Sequence, residues 1–509
     1  MSTTADPLSE SSVVAERPRP GAPRAYEFPA VAMDRLPNGL TIFVADLPGR
    51  PLISASVVIR GGAAMEPASD GGSTVLAARA LTEGTERYDA IALVEAGERL
   101  GASIHADAGW DALSVSVEVP AARLVPALEL VAEVLLHPMF PALEAERLRD
   151  ERLNDLLQAQ ADPRRRAEQA FAATIYSPIS PYHRPSGGTR ETVERLTPDH
   201  LRRAYARVLD PRRATLIVAG DLGGQHVLPL AERLLGGWAA GSGADANPAD
   251  IMDARASDER VVHVVHRPAS VQTEIRIGHR GLPRRIPDFH AVSVMSAILG
   301  GLFNSRLNMK LREEKGYTYG AGAGFDMRRG AGPFAARAAV NTEVTVPAVT
   351  DMLGELSAMR DKPVKASELS AARDFLVGVF PLRFETAGAV VGALSGLAVH
   401  GLEIDELVSY RERIEAVEVD AVGAAARAHL EVDSAAIVLV GDVDAFGDAL
   451  EKAGFAPIVV ERDLLPEPLL ASEQDEPPGP VDQDEAEGPT AGAEEPELPG
   501  VPTEPAEAD

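Results

Sequence analysis

The sequence contains no cysteine. This excludes disulfides, thiolate metal sites and a cysteine nucleophile, and leaves the redox compartment open. It opens without an apolar run: residues 1–22 are polar and proline-bearing, unlike a secretory signal. Apolar stretches elsewhere are short and broken by charge, so no transmembrane helix is expected and a soluble, cytoplasmic protein is. Positive charge is scarce, with 49 Lys and Arg against 77 Asp and Glu and a net charge of −28. Phosphate binding needs clustered Lys and Arg, which argues against nucleic acid as the main partner. H-E-x-x-H, H-x-x-E-H, G-x-S-x-G and the P-loop are all missing. The glycine-rich stretch 320–332 lacks the Lys of a phosphate cradle.

A metal site needs convergent ligands, and the eleven histidines are scattered. His263 and His266 are the nearest pair, but on a strand these positions face opposite sides and cannot chelate one ion.

What is present is length and pattern. A chain of 509 residues, 45% hydrophobic and 25% charged, is too long for one ordinary core. Residues 1–25 are expected to form a disordered arm and 241–258, rich in Gly, Ala, Asp and Pro, a linker. The acidic residues 463–509 are expected to be a disordered tail, because from Leu464 onward there is no Lys or Arg and little apolar surface to bury. Between these segments the sequence repeats. Ala214–Thr–Leu–Ile–Val–Ala–Gly–Asp221 answers Ala435–Ala–Ile–Val–Leu–Val–Gly–Asp442, and Asp199 and Leu209 match Asp420 and Leu430. Ile53–Ile59 similarly echoes Val271–Ile277. The period is too long for a solenoid and predicts two homologous tandem domains, 26–240 and 259–462.

Each half has an α+β pattern. Leu113–Val119 alternates as a half-buried strand should, and Leu124–Leu135 has helical spacing, ended by His137–Pro138. Phe334–Val340 and Val346–Met359 repeat this strand and helix. The expected fold is α+β: two tandem domains, each a mixed, mainly antiparallel sheet with helices packed on one face.

The run Ile298–Leu–Gly–Gly–Leu–Phe–Asn–Ser–Arg–Leu–Asn–Met–Lys–Leu–Arg–Glu–Glu–Lys–Gly–Tyr–Thr–Tyr–Gly320 resembles the C-terminal domain signature of the pitrilysin/insulinase family of zinc peptidases. Leu36–Pro–Asn–Gly–Leu40, which looks like the family's opening strand, Gly61–Gly62, Gly84–Thr85, Pro181–Tyr–His183 and both Gly–Asp pairs follow in family order. The resemblance spans about residues 26–462. It makes 26–240 an N-terminal and 259–462 a C-terminal peptidase-like domain.

The resemblance also exposes a loss. Counting back from Gly84–Thr85, the family's zinc-binding and general-base positions hold Val75, Ala78 and Arg79, and the distal ligand falls near Asn154–Asp155. One carboxylate cannot hold zinc, and a guanidinium repels it, so no metal or cofactor is expected in this chain. The family's substrate-contacting Arg and Tyr correspond to Arg312 and Tyr319, with Arg306 and Tyr317 beside them. Lys315–Gly316 would end a helix, placing Arg312 on its last turn and Tyr319 at the start of the next strand, both facing one cavity. The resemblance thus implies a non-catalytic, substrate-binding subunit whose partner, a zinc-motif-bearing paralogue in a heterodimer, supplies Zn²⁺ for cleaving peptides. The alternative is a structural pseudo-peptidase without a role in proteolysis.

Overall fold

Strands buried on both faces must be apolar throughout, whereas half-buried strands alternate. Ala214–Gly220 is the first kind, with every residue buried, and Ala112–Pro120 the second. Their difference anticipates the architecture. The structure, a computed structural model, describes residues 25–240 and 254–462. The expected tail, residues 1–24 of the arm and 241–253 of the linker lie outside the described residues.

The first half builds β1 (Ala32–Arg35), β2 (Thr41–Asp46), β3 (Leu52–Arg60), β4 (Ser103–Ala108), β5 (Ala112–Pro120) and β6 (Ala214–Gly220). These form one sheet in the order β1-β2-β6-β3-β5-β4. The second half builds β7 (Val262–His266), β8 (Gln272–Arg280), β9 (Ala321–Phe325), β10 (Pro333–Asn341), β11 (Ala436–Gly441) and β12 (Ile458–Arg462). Their order is β12-β7-β11-β8-β10-β9. In both sheets the strand ending in Gly–Asp runs parallel to one neighbour and antiparallel to the other. Only the outer position differs: β1 is antiparallel to β2, while β12 is parallel to β7. The fold is α+β with two mixed, mainly antiparallel sheets, as expected.

The repeat persists in hydrogen bonds. Asp221 accepts from the Gly49 amide at 2.9 Å, and Asp442 accepts from Ala269 at 2.9 Å. The Leu222 amide donates to Asp46, and the Val443 amide donates to His266. Gly220 has a φ of 142°, and a Cβ there would lie 2.5 Å from the Leu52 carbonyl oxygen. That explains the glycine without invoking chemistry.

Each sheet packs one face on helices of its own half. In the first sheet Ile53, Ala55, Val57 and Val117 meet Leu128 and Val131 of the helix Leu124–Leu136 in one core. The other face is covered from the opposite half. Val58, Ile217 and Ala219 share a core with Val390, Val391 and Leu394 of the helix Ala387–His400. Reciprocally, Ala167, Ala170 and Phe171 of the helix Pro163–Ile175 bury Val265, Val438 and Val440 of the second sheet. This exchange is why β3 and β6 are buried on both faces. Among the described residues no single helix is long and apolar enough to cross a membrane.

One expectation is corrected. Leu36–Leu40 is not a strand but the turn joining β1 to β2. Gly39 there has a φ of 95°, and the Leu36 amide donates to the Leu40 carbonyl. The Asn38 amide group anchors this turn to the carbonyls of Leu235 and Trp238.

Candidate functional site

The helix Ser73–Ala80 carries the positions where the resemblance expects a metal. Its N-terminus has no cap of its own, since Gly72 adopts a left-handed conformation with φ 93°. Glu66 does that work from a neighbouring turn. Its carboxylate, wholly buried, accepts from the amides of Gly72 at 2.9 Å and Thr74 at 2.5 Å. Burial pushes this carboxyl upward, and the Thr74 and Gly72 hydrogen bonds work against that.

Val75 is half-buried, Ala78 is fully buried, and Arg79 reaches outward. The Arg79 guanidinium pairs with Glu151 at 2.9 Å, on the helix Ala142–Ala161. Arg147 also binds Glu151, together with Glu83 at 2.6 Å and Glu144 at 2.7 Å. Burial pulls the Glu151 carboxyl upward, but hydrogen bonds from Arg147 and Arg79 outweigh it and hold it below the usual range. Asp155, the expected remnant of the distal ligand, is bound by Arg152 and by Arg165 at 2.8 Å. Asn154 is exposed on the same helix. Every carboxylate in this network accepts from a guanidinium, and no imidazole enters it. Zinc requires three or four anionic or imidazole ligands, so these residues do not fit it. Sequence reasoning missed Glu151, Arg147 and Arg152, which precede Asp155 on the same helix.

The nearest thing to a ligand set among the described residues lies elsewhere, at His266, Asp442 and Asp444. Two of its three residues are engaged already: His266 Nδ1 accepts from the Val443 amide, and Asp442 accepts from the amides of Ala269 and Asp444. His263 turns the other way, toward Glu461 at 3.2 Å and Thr174. The two histidines diverge as strand geometry requires.

The signature segment is built around wide turns. The helix Phe289–Ser296 opens into a π-helical turn, Ala297–Gly301, closed by the Leu302 amide on Ala297. A Cβ on Gly300 would lie 2.0 Å from the Ala323 amide nitrogen, so this glycine admits β9. A second π-helical turn, Met309–Glu314, carries Arg312. Such turns cluster at functional sites. Gly316, at φ 65°, ends it by donating to the Arg312 carbonyl. Buried Asn308, unremarked in the sequence, ties the segment together by donating to Phe303 and accepting from Ala321.

Four sequence-singled residues share this segment but not one environment. Arg312 stacks on exposed Phe303 at 4.7 Å and approaches Glu313 at 3.4 Å. Tyr319 is 93% exposed. It precedes β9 by two residues rather than starting it, because the Thr318 hydroxyl and Gly320 form a local turn. The two residues therefore stand on an open surface and are not enclosed. Arg306 is held in a two-pronged ion pair with Glu368, at 2.8 and 2.9 Å. Tyr317 packs partly against the second-half core.

Two mixed sheets that exchange helices, with guanidiniums where the resemblance expects zinc, define a metallopeptidase-type body. Comparison with known proteins agrees. A family model described as Insulinase (Peptidase family M16) matches residues 42–184, and one described as Peptidase M16 inactive domain matches 195–376. The non-peptidase homolog YmxG of Helicobacter pylori is 22% identical over 400 residues, covering 77% of this chain and 89% of that protein. An uncharacterized zinc protease of Streptomyces coelicolor is 24% identical over 400 residues, covering 77% and 85%. A peptidase M16 inactive domain from Pseudomonas fluorescens superposes with a TM-score of 0.75 at 24% identity, over 81% of this chain and 98% of that one. The chain belongs to the insulinase family, peptidase family M16, as a member without the zinc-binding motif.

Proposed function

We propose that this protein is the non-catalytic, substrate-binding subunit of a heteromeric, cytoplasmic zinc peptidase that cleaves peptides or small unfolded proteins. One asymmetry carries the reading: guanidiniums occupy the metal position around Arg79, while Arg312 and Tyr319 keep the family signature on an exposed surface. The partner, a zinc-motif-bearing paralogue, supplies the ion and its activated water. Arg312 offers a fork of donors to a peptide carbonyl or terminal carboxylate. The Tyr319 hydroxyl donates toward the carbonyl oxygen as negative charge builds there.

The test is peptide cleavage by this chain alone, by a zinc-motif paralogue encoded nearby, and by the mixture. Cleavage by the mixture only is expected, with Arg312→Ala and Tyr319→Phe each lowering it by at least about tenfold. Full activity of the paralogue alone overturns the reading. The scaffold alternative is favoured by Arg306, whose fork is spent on Glu368, and by half-packed Tyr317. It is the better account if both variants leave the partner's activity intact.

A further inference from the structure

Strand direction brings several arginines to one end of the first sheet. Arg35 ends β1, Arg60 ends β3, and Arg212 and Arg213 immediately precede β6, whose Ala214 is paired with Ile59. A cavity of about 320 Å³ lies between this end and the last turns of the helix Ala387–His400. Arg60 and Arg213 line it on one side, and Phe43, Leu394, Leu397 and Ile404 contribute apolar surface. The carboxylate that lines it, Glu403, belongs to an exposed residue. Arg212 is committed to Asp210 at 2.7 Å, whereas no carboxylate pairs with Arg60 among the described residues.

The charge of Arg60 is poorly compensated. Burial, and then the charges of Arg213 and Arg35, push the half-buried Arg60 guanidinium below its ordinary value. Burial and then Arg60 act the same way on Arg329, from the second half. Guanidiniums that are drawn out of water and repel one another are stabilised by an anion placed among them. The rest of the lining is mostly aliphatic and aromatic, so that anion should carry an apolar body. At interior packing density the volume holds roughly ten non-hydrogen atoms.

We propose that this cavity binds a small amphiphilic carboxylate, with its charge on Arg60 and Arg213 and its apolar body against Phe43, Leu394, Leu397 and Ile404. Two sources share that chemistry, a medium-chain fatty acid and the free C-terminus of a short hydrophobic peptide. This site is separate from the Arg312 surface and does not depend on the subunit reading.

The test is calorimetric titration of the purified full chain with decanoate, with decanol, and with N-acetyl-leucine as acid and as amide. At least one acid is expected to bind saturably and roughly tenfold or more tighter than its neutral counterpart. The acid that binds more tightly identifies the source. Arg60→Gln should weaken that acid by roughly tenfold, Ala398→Phe should block it by filling the cavity, and exposed Arg99→Gln should change nothing. Acids that bind no better than their neutral counterparts overturn the proposal, a comparison that needs no variant. So does binding that persists undiminished in a folded Arg60→Gln or Ala398→Phe protein.

Discussion

Replacing Glu66 by Ala tests how the helix Ser73–Ala80 is held. The carboxylate is wholly buried and accepts from Gly72 at 2.9 Å, Thr74 at 2.5 Å and the Ser73 hydroxyl at 3.4 Å, with Arg184 Nη2 at 3.7 Å. Truncation leaves two buried amides without an acceptor, at about 1–3 kcal/mol each. It also strips the anion from beside Arg184, whose Nη2 has no hydrogen-bond partner. Water entering the vacated space offsets part of this, so the expected loss is about 3–5 kcal/mol. Glu66→Gln keeps one oxygen acceptor and should cost about 1–2 kcal/mol. Urea denaturation followed by the fluorescence of Trp110 and Trp238 measures both, and amide exchange across residues 73–80 shows whether the loss is local. An Ala variant within about 1 kcal/mol of the parent, or a Gln variant as unstable as the Ala one, refutes the capping role.

Leu394→Ala, in the helix that crosses from the second half onto the first sheet, should cost about 2–5 kcal/mol and lower amide protection in β3 and β6. Loss of protection confined to the second half would contradict the exchange. His400 is held down to about 4, chiefly by burial and then by Arg284 and Arg329, against an ordinary value of 6.5. The unfolded chain therefore takes up this proton first, and stability falls as pH drops from about 6.5, levelling below about 4. Denaturation at pH 7 and pH 4 should show the parent losing on the order of 3 kcal/mol more than His400→Leu; equal losses would sink the assignment. Arg79→Ala removes a pair whose side chains are 40% and 44% exposed, so stability should change by less than about 1 kcal/mol. A loss above about 2 kcal/mol in urea denaturation would make the guanidinium network structural.

How far the sequence reaches depends on whether a feature is local. The Gly–Asp ends of β6 and β11 were readable because a short backbone requirement dictates each: a glycine where strands crowd, and a carboxylate that accepts from a nearby turn. That the helix Ser73–Ala80 offers neither imidazole nor carboxylate at the expected ligand positions was readable for the same reason, since positions on one helix are fixed by its periodicity. What fills that site was not. Arg79 has a long side chain that reaches Glu151, one turn from the Asp155 that the resemblance singles out, and spacing along a helix does not say where a neighbouring side chain lands. The resemblance makes Leu36–Leu40 a strand, whereas Asn38 and Gly39 determine the backbone as a turn. Helix exchange lay furthest out of reach. Periodicity shows that Pro163–Ile175 and Ala387–His400 have faces to bury, but not which half supplies the surface. The apolar runs of β3 and β6 held the clue, since strands buried on both faces need a second layer that the first half alone does not provide. The same exchange brings Leu394 and Leu397 over the arginine end of the first sheet, so the cavity beside Arg60 could emerge only from the folded pair of halves.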